Sequence, residues 1–303
     1  MNSTLNNGVF AVATTPYASN GEQNLEALDQ GINRAIDAGV AGLLLLGATG
    51  EALALTPDER REQVAHAVST IDGRANVVVG CMGYTPQEVL EQIKTAAELG
   101  AQAAMITPPY YGGLEPEVAI EALRQVMVES PLPILVYNNP HSTGVDLSPE
   151  HLATLVDTGT FWAVKETSGE ALRVRELRAA LDAEGEQGTK VEVFVGADGI
   201  ALEGFTQGAT GWVAASAWLL PKECQKLMEA VQAKDWAHAV HVWNALAKPL
   251  GLIESSPAFI SLLKKSLSRE LVEQGPVRAP LPTATEEAVE ELAEALQALK
   301  EIE

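Results

Sequence analysis

The chain has 303 residues, 47% hydrophobic and 20% charged, a balance that provides a sizeable globular core and excludes a fibrous or low-complexity chain. Its 20 Lys+Arg against 41 Asp+Glu leave a net charge of −21, a field that repels phosphate backbones and anionic lipid, so neither nucleic acid nor a membrane is an expected partner. Two cysteines, Cys81 and Cys224, cannot form a disulfide framework. With a polar Met1–Asn7 lacking a signal-peptide core, they suit a cytoplasmic protein.

Short apolar runs alternate with helical periods. Phe10–Thr14 reads as a buried strand, and Leu25, Leu28, Ile32 and Ile36 recur at helical spacing behind an Asn24 cap. Leu43–Leu46 is the next strand. Thr56-Pro57-Asp58-Glu59 then starts a helix with a cap, a proline and an acid in the favoured order, and Thr85-Pro86-Gln87-Glu88 repeats that signal after strand Val77–Val79. Strand Ala103–Ile106, helix Pro116–Glu129, strand Pro133–Tyr137 and a helix opened by Ser148-Pro149-Glu150 follow. Then come strand Trp162–Val164, helix Ala171–Leu181, strand Val191–Val195, a short helix near Ile200–Thr206, and strand Gly211–Ala214.

Eight strand-like runs separated by helices predict an α/β protein, a (β/α)8 TIM barrel over residues 1–220. Beyond it, Pro221–Gln232, Trp236–Leu246, Pro257–Ser268 and Glu286–Ala298 predict a C-terminal helical extension, residues 221–303, packed on the barrel. Gln274–Pro282 is its irregular connector.

Barrel active sites lie where strands end, so the residues after each strand are the candidates. Lys165 ends the apolar run Phe161–Val164. A dry surrounding disfavours an ammonium, and a neutral amine attacks carbonyl carbon to form a Schiff base; the plain alternative is a lysine paired with a carboxylate such as Glu166. Tyr137 ends the preceding strand, where its phenol could reach the lysine amine and carry protons, or simply cap the rim. Tyr110 and Tyr111 could form an interface patch. The turn Gly47-Ala48-Thr49-Gly50-Glu51 offers backbone N–H groups to a carboxylate or phosphate but matches no nucleotide fingerprint. His141 could touch substrate. His238 and His241 read as a solvated helix face and Cys81 as a core residue, so no metal is expected.

Four segments taken together resemble the dihydrodipicolinate synthase / N-acetylneuraminate lyase family over nearly the whole chain. Gly47–Glu51 with Leu55 resembles its G-[TS]-T-G-E-x-x-x-L, and Thr107–Tyr111 its T-P-x-Y-Y. Tyr137-Asn138-Asn139-Pro140 with Thr143-Gly144 resembles Y-N-x-P-x-x-T-G, and Lys165-Glu166 with Ser168 resembles K-[ED]-[AST]-S. The resemblance implies a lyase that needs no cofactor. Lys165 would form a Schiff base with a 2-oxo acid, pyruvate being the common fragment, and a C–C bond to an aldehyde or sugar-acid-derived partner would form or break. It implies Tyr137 as general acid/base and Tyr111 as a tyrosine contributed across a subunit interface, with Tyr110 adjoining it. Ala48, Thr49 and Gly50 would hold the carboxylate, Gly196 and Val213 would line the lysine pocket, and the assembly would be a homotetramer.

Two departures stand out. The family's synthases carry a threonine hydroxyl at the position of Ala48, linking two tyrosines in a proton relay, and alanine cannot supply it. They also carry an arginine for a second carboxylate where this chain has Ser142, preceded by His141. The first expectation is therefore a 2-oxo acid lyase other than the lysine-pathway synthase. That synthase is the alternative, followed by a dehydratase or deaminase of the same family and a non-catalytic binding barrel.

Overall fold

A computed structural model describes residues 5–302. Eight strands, β1 (Val9–Val12), β2 (Gly42–Leu45), β3 (Asn76–Gly80), β4 (Ala103–Ile106), β5 (Ile134–Asn138), β6 (Phe161–Glu166), β7 (Glu192–Val195) and β8 (Gly211–Ala214), hydrogen-bond in chain order into a closed barrel. The strands are nearly continuous buried residues, as parallel strands covered on both faces must be. The expected α/β (β/α)8 TIM barrel is therefore the fold observed.

The helices are α1 (Leu25–Asp37), α2 (Pro57–Ile71), α3 (Pro86–Glu98), α4 (Pro116–Glu129), α5 (Pro140–Thr143), α6 (Pro149–Ala153), α7 (Ala171–Ala183) and α8 (Ala201–Thr206). They continue as α9 (Ser216–Leu219), α10 (Pro221–Gln232), α11 (Trp236–Ser255), α12 (Phe259–Ser268) and α13 (Glu286–Ile302). Their starts follow the caps read from sequence. Asn24, Thr85 and Ser148 each accept the backbone N–H three residues on, and Thr56 and Glu59 close a reciprocal capping box.

Several boundaries shift by one to four residues, and two differences from expectation have clear physical reasons. The strand expected to stop at Val164 continues through Lys165 and Glu166, because both polar residues stay in the ladder with β5 and β7. The helix expected to stop at Leu246 runs on to Ser255 through Pro249, which is buried inside it. Apolar packing there outweighs the hydrogen bond a proline removes.

Two compact units make up the chain. One holds Asn76–Val213 with the segment up to Gly8, and therefore β3 to β7. The other joins Val9–Ala75 to the chain from Ala214 onward, and therefore β1, α1, β2 and α2 with the C-terminal helices. In the second unit, Arg278 donates to both carboxylate oxygens of Glu59, 2.5 and 2.9 Å away, and to the carbonyl of Ala54. Hydrogen bonding from Arg278, reinforced by the backbone of Thr56, holds the Glu59 carboxyl well below the usual carboxylate range, at about 2. A depressed folded pKa stabilises above the unfolded value and loses that contribution as pH falls through the folded one. The advantage of the parent over Glu59→Gln in melting temperature should therefore be full at pH 6 and shrink between about pH 4.5 and 2. An advantage independent of pH would show that the charge on Glu59 contributes nothing.

Candidate active site

Strand periodicity decides which polar groups face the barrel interior. Residues i and i+1 point to opposite faces, while residues in register on neighbouring strands share one. Tyr137 of β5 lies in register with Lys165 of β6, and Asn138 with Glu166. Lys165 and Tyr137 thus form one pair, and Glu166 turns away. The Lys165 Nζ sits 4.2 Å from the centroid of the Tyr137 ring, over its face. Lys165 is buried, at 7% exposure, yet among the described residues it joins no ion pair. The amine is not hydrogen-bonded to the phenol oxygen. That oxygen instead accepts from Asn139 Nδ2 at 2.7 Å.

Glu166 is occupied on the other face. It accepts from Asn138 Nδ2 at 3.0 Å and from the Ser168 backbone at 2.7 Å. Asn138 is fully buried and also accepts from the Leu147 N–H, tying the loop after β5 to β6. Beside it, Arg173 grips Asp146 through two hydrogen bonds of 3.0 and 2.9 Å. Burial works against the Asp146 carboxylate, but the bonds from Arg173 and Asn138 prevail and hold its carboxyl below its ordinary value.

Gly196, after β7, lies against the lysine stem. A Cβ there would fall 2.7 Å from both Cγ and Cε of Lys165 and 1.9 Å from the Thr167 hydroxyl oxygen. Only a residue without a side chain leaves Lys165 its path. The Thr167 hydroxyl and that of Thr107, after β4, are buried without a hydrogen-bond partner. Unpaired buried hydroxyls are costly, and they mark where a polar ligand atom or water would be welcome.

In the second unit, the turn after β2 presents its own donors. Among the described residues the backbone N–H groups of Ala48 and Thr49 reach no acceptor, whereas those of Gly50 and Glu51 are turned inward onto Gly47 and Ala48. Gly50 is packed so closely that a Cβ would meet the Ala13 carbonyl at 3.1 Å, and Glu51 adopts a left-handed φ of 56°. A non-glycine residue in that region is held by its surroundings.

The holder is Lys264 of α12. Its ammonium donates to Glu51 Oε1 at 2.9 Å, the Thr15 carbonyl at 2.8 Å and the Pro276 carbonyl at 2.6 Å, which uses all three protons. The other Glu51 oxygen accepts from the Arg278 backbone at 2.8 Å. Lys264 and Arg278 also stack on Tyr17, each 4.4 Å from its ring centroid. Burial lowers the pKa of Lys264 despite the opposing pull of Glu51. Burial, then Glu51, raise that of the Tyr17 phenol.

Sequence reasoning singled out neither Asn139 nor Lys264. Asn139 sits at a variable position of its motif, and Lys264 was one more lysine in a helix. The available signal was a cation set in the apolar run Ile260, Leu262, Leu263, Leu267.

The remaining expected residues are scattered more widely. Tyr110 is half-buried, while Tyr111 is 77% exposed and packs edge-on against Tyr84, at 6.4 Å between centroids. His141 lies on the exposed α5 with its ring 3.1 Å from the Ser168 carbonyl, and Ser142 presents its backbone N–H to Asn139. Val213 is buried in β8. His238 and His241 stack on the exposed face of α11, and Cys81 and Cys224 are buried and form no disulfide. Among the described residues no cluster of His, Cys, Asp or Glu is arranged to hold a metal, and no helix is long and apolar enough to cross a membrane.

Comparison with known proteins covers the same ground. The sequence model of the dihydrodipicolinate synthetase family matches residues 5–299. A 4-hydroxy-tetrahydrodipicolinate synthase of Exiguobacterium sp. is 32% identical over 297 residues, 97% of this chain and 98% of that one. Another from Sorangium cellulosum is 30% identical over 297 residues, 97% and 96% of the two chains. The chloride-inhibited dihydrodipicolinate synthase of Acinetobacter baumannii, solved in complex with pyruvate, superposes with a TM-score of 0.89 at 26% identity over 98% of this chain and 99% of that one.

Proposed function

The chain belongs to the dihydrodipicolinate synthetase family of Schiff-base, pyruvate-dependent carbon–carbon lyases, and from that premise we propose which residues do the chemistry and on what partner. Lys165 is the nucleophile. Its lone pair attacks C2 of a 2-oxo acid, the carbonyl electrons move to oxygen, and that oxygen takes up the proton that the amine nitrogen gives up. A second proton releases it as water and leaves an iminium. The iminium draws electrons from C3, so a proton leaves there and the resulting enamine joins an aldehyde carbon, or the same steps run backwards to cleave. Tyr137 is the proton carrier. The carboxylate is held by the Ala48 and Thr49 N–H groups with the Thr49 hydroxyl, and Gly50 permits the turn.

One observation carries the reading: a buried lysine beside a tyrosine that, among the described residues, joins no ion pair. Val213 and Gly196 serve as pocket walls, and His141, Ser142 and Tyr110 belong to the partner-binding side. Tyr111, exposed in the single chain, suits a residue contributed to a neighbouring subunit, and a cytoplasmic homotetramer is the assembly proposed.

The partner is an aldehyde, or a sugar-acid-derived carbonyl compound, without a carboxylate opposite Ser142. The orphan hydroxyls of Thr107 and Thr167 favour a hydroxyl-bearing one. A second reading, condensation of pyruvate with aspartate semialdehyde, is favoured by the names of the relatives.

Incubation with pyruvate and borohydride should add the mass of one reduced pyruvate, mapped to Lys165, and Lys165→Met should remain unmodified. An unmodified parent protein would refute the Schiff base. Rapid consumption of aspartate semialdehyde would decide for the second reading.

A further inference from the structure

We propose that Asn139 is a positioning residue for proton transfer by Tyr137. The inference rests on Tyr137 being the proton carrier, and it concerns which way the phenol points. A phenol offers one hydrogen and accepts on its oxygen. Asn139 Nδ2 lies 2.7 Å from that oxygen, and both side chains are buried. The amide is oriented by the cap of α5: its Oδ1 accepts the Ser142 N–H at 3.2 Å, a hydrogen shared with the Asn139 carbonyl at 3.1 Å. Flipping it would set the carbonyl on the phenol and an N–H against an N–H. The cap thus fixes the donor, and the donor fixes the phenol as acceptor.

Two consequences follow from that polarity. The phenol's own hydrogen has no acceptor among the described residues, and so it is free for a bound 2-oxo acid. When the phenol gives that hydrogen to the departing carbinolamine oxygen, water leaves and a phenolate remains. The Asn139 N–H then points at an anion, and a hydrogen bond to a charged oxygen is about twice as strong as one to a neutral one. Asn139 thereby favours the transferred state over the initial one, which is what speeds a step. An amide N–H does not pass a proton onward, so the phenolate recovers its hydrogen from the substrate or from water.

Exchange of pyruvate methyl hydrogens for deuterium in heavy water, followed by NMR, needs no second substrate and reads the iminium–enamine cycle alone. Asn139→Ser keeps a capping oxygen but cannot reach the phenol. Its maximal exchange rate should fall about ten- to a hundredfold, with half-saturating pyruvate unchanged. Asn139→Asp keeps the cap and reverses the bond, so that the carboxylate takes the phenol's hydrogen, and it should exchange more slowly still. In a Tyr137→Phe background neither substitution should cost anything further, because the atom through which Asn139 acts is gone.

Unchanged exchange in both Asn139 variants, or the same fractional loss in the Tyr137→Phe background as in the parent, would overturn the proposal. A parent protein that neither exchanges pyruvate hydrogens nor traps pyruvate on Lys165 would instead remove the Schiff-base reading beneath it.

Discussion

Lys264→Met should cost about 3–5 kcal/mol of stability, the largest single-site loss we expect in the chain. The side chains of Lys264 and Glu51 are 1% and 0% exposed, so removing the ammonium leaves a carboxylate sealed away from water with only the Arg278 N–H for company. The Thr15 and Pro276 carbonyls lose their donor as well. The penalty comes from the orphaned charge more than from the lost attraction. Adding Glu51→Gln to Lys264→Met should therefore recover part of the loss, although Glu51→Gln alone destabilises. Denaturant melts of the two single variants and the double would test this. Single losses below about 1 kcal/mol that simply add would mean that the pair is not energetically coupled.

Gly196→Ala should leave a folded protein with Lys165, the proposed nucleophile, poorly placed. The new Cβ would overlap the Lys165 stem near its root, at Cγ, where the side chain has little freedom to step aside. Displacing a reacting atom by about 1 Å costs on the order of a hundredfold in rate. Overpacking adds a loss of about 1–3 kcal/mol in stability. Gly31→Ala separates the two effects. Its Cβ would meet the Trp218 ring at 2.2 and 2.6 Å, which is comparable crowding between α1 and α9 rather than beside Lys165. Gly31→Ala should thus lose stability but trap pyruvate at the parent rate, while Gly196→Ala traps it about a hundredfold more slowly. Equal trapping rates in the two variants would remove Gly196 from the lysine pocket.

The barrel was legible because its signals repeat. Thr56-Pro57, Thr85-Pro86 and Ser148-Pro149 each start a helix after an apolar run, and each cap is made as the residue types require. Lys165 was legible for a different reason, as a charge at the end of an apolar strand. Its pairing with Glu166 could have been set aside from sequence by parity, since adjacent residues of a strand face opposite sides. The rest was hidden by distance along the chain. Nothing near Glu51 announces a partner in α12, because the two are joined only when β2 and the C-terminal helices pack within one unit. Asn139 was hidden by ambiguity. An asparagine before a proline reads as a turn or a cap, and it is a cap here, but the second half of its amide is free to do something else.

The Glu51–Lys264 bond also sets an order of events during synthesis. Glu51 leaves the ribosome 213 residues ahead of the cation that neutralises it. Until then the carboxylate is best left hydrated, and the loop that carries Ala48 and Thr49 has no reason to adopt its left-handed bend. A nascent chain can assemble strands and helices as they emerge, but this corner waits for nearly the last helix. An early-terminated product would accordingly keep an open, water-filled corner beside the Gly47–Glu51 turn, and that turn would be fixed only once α12 and the segment through Arg278 have been made.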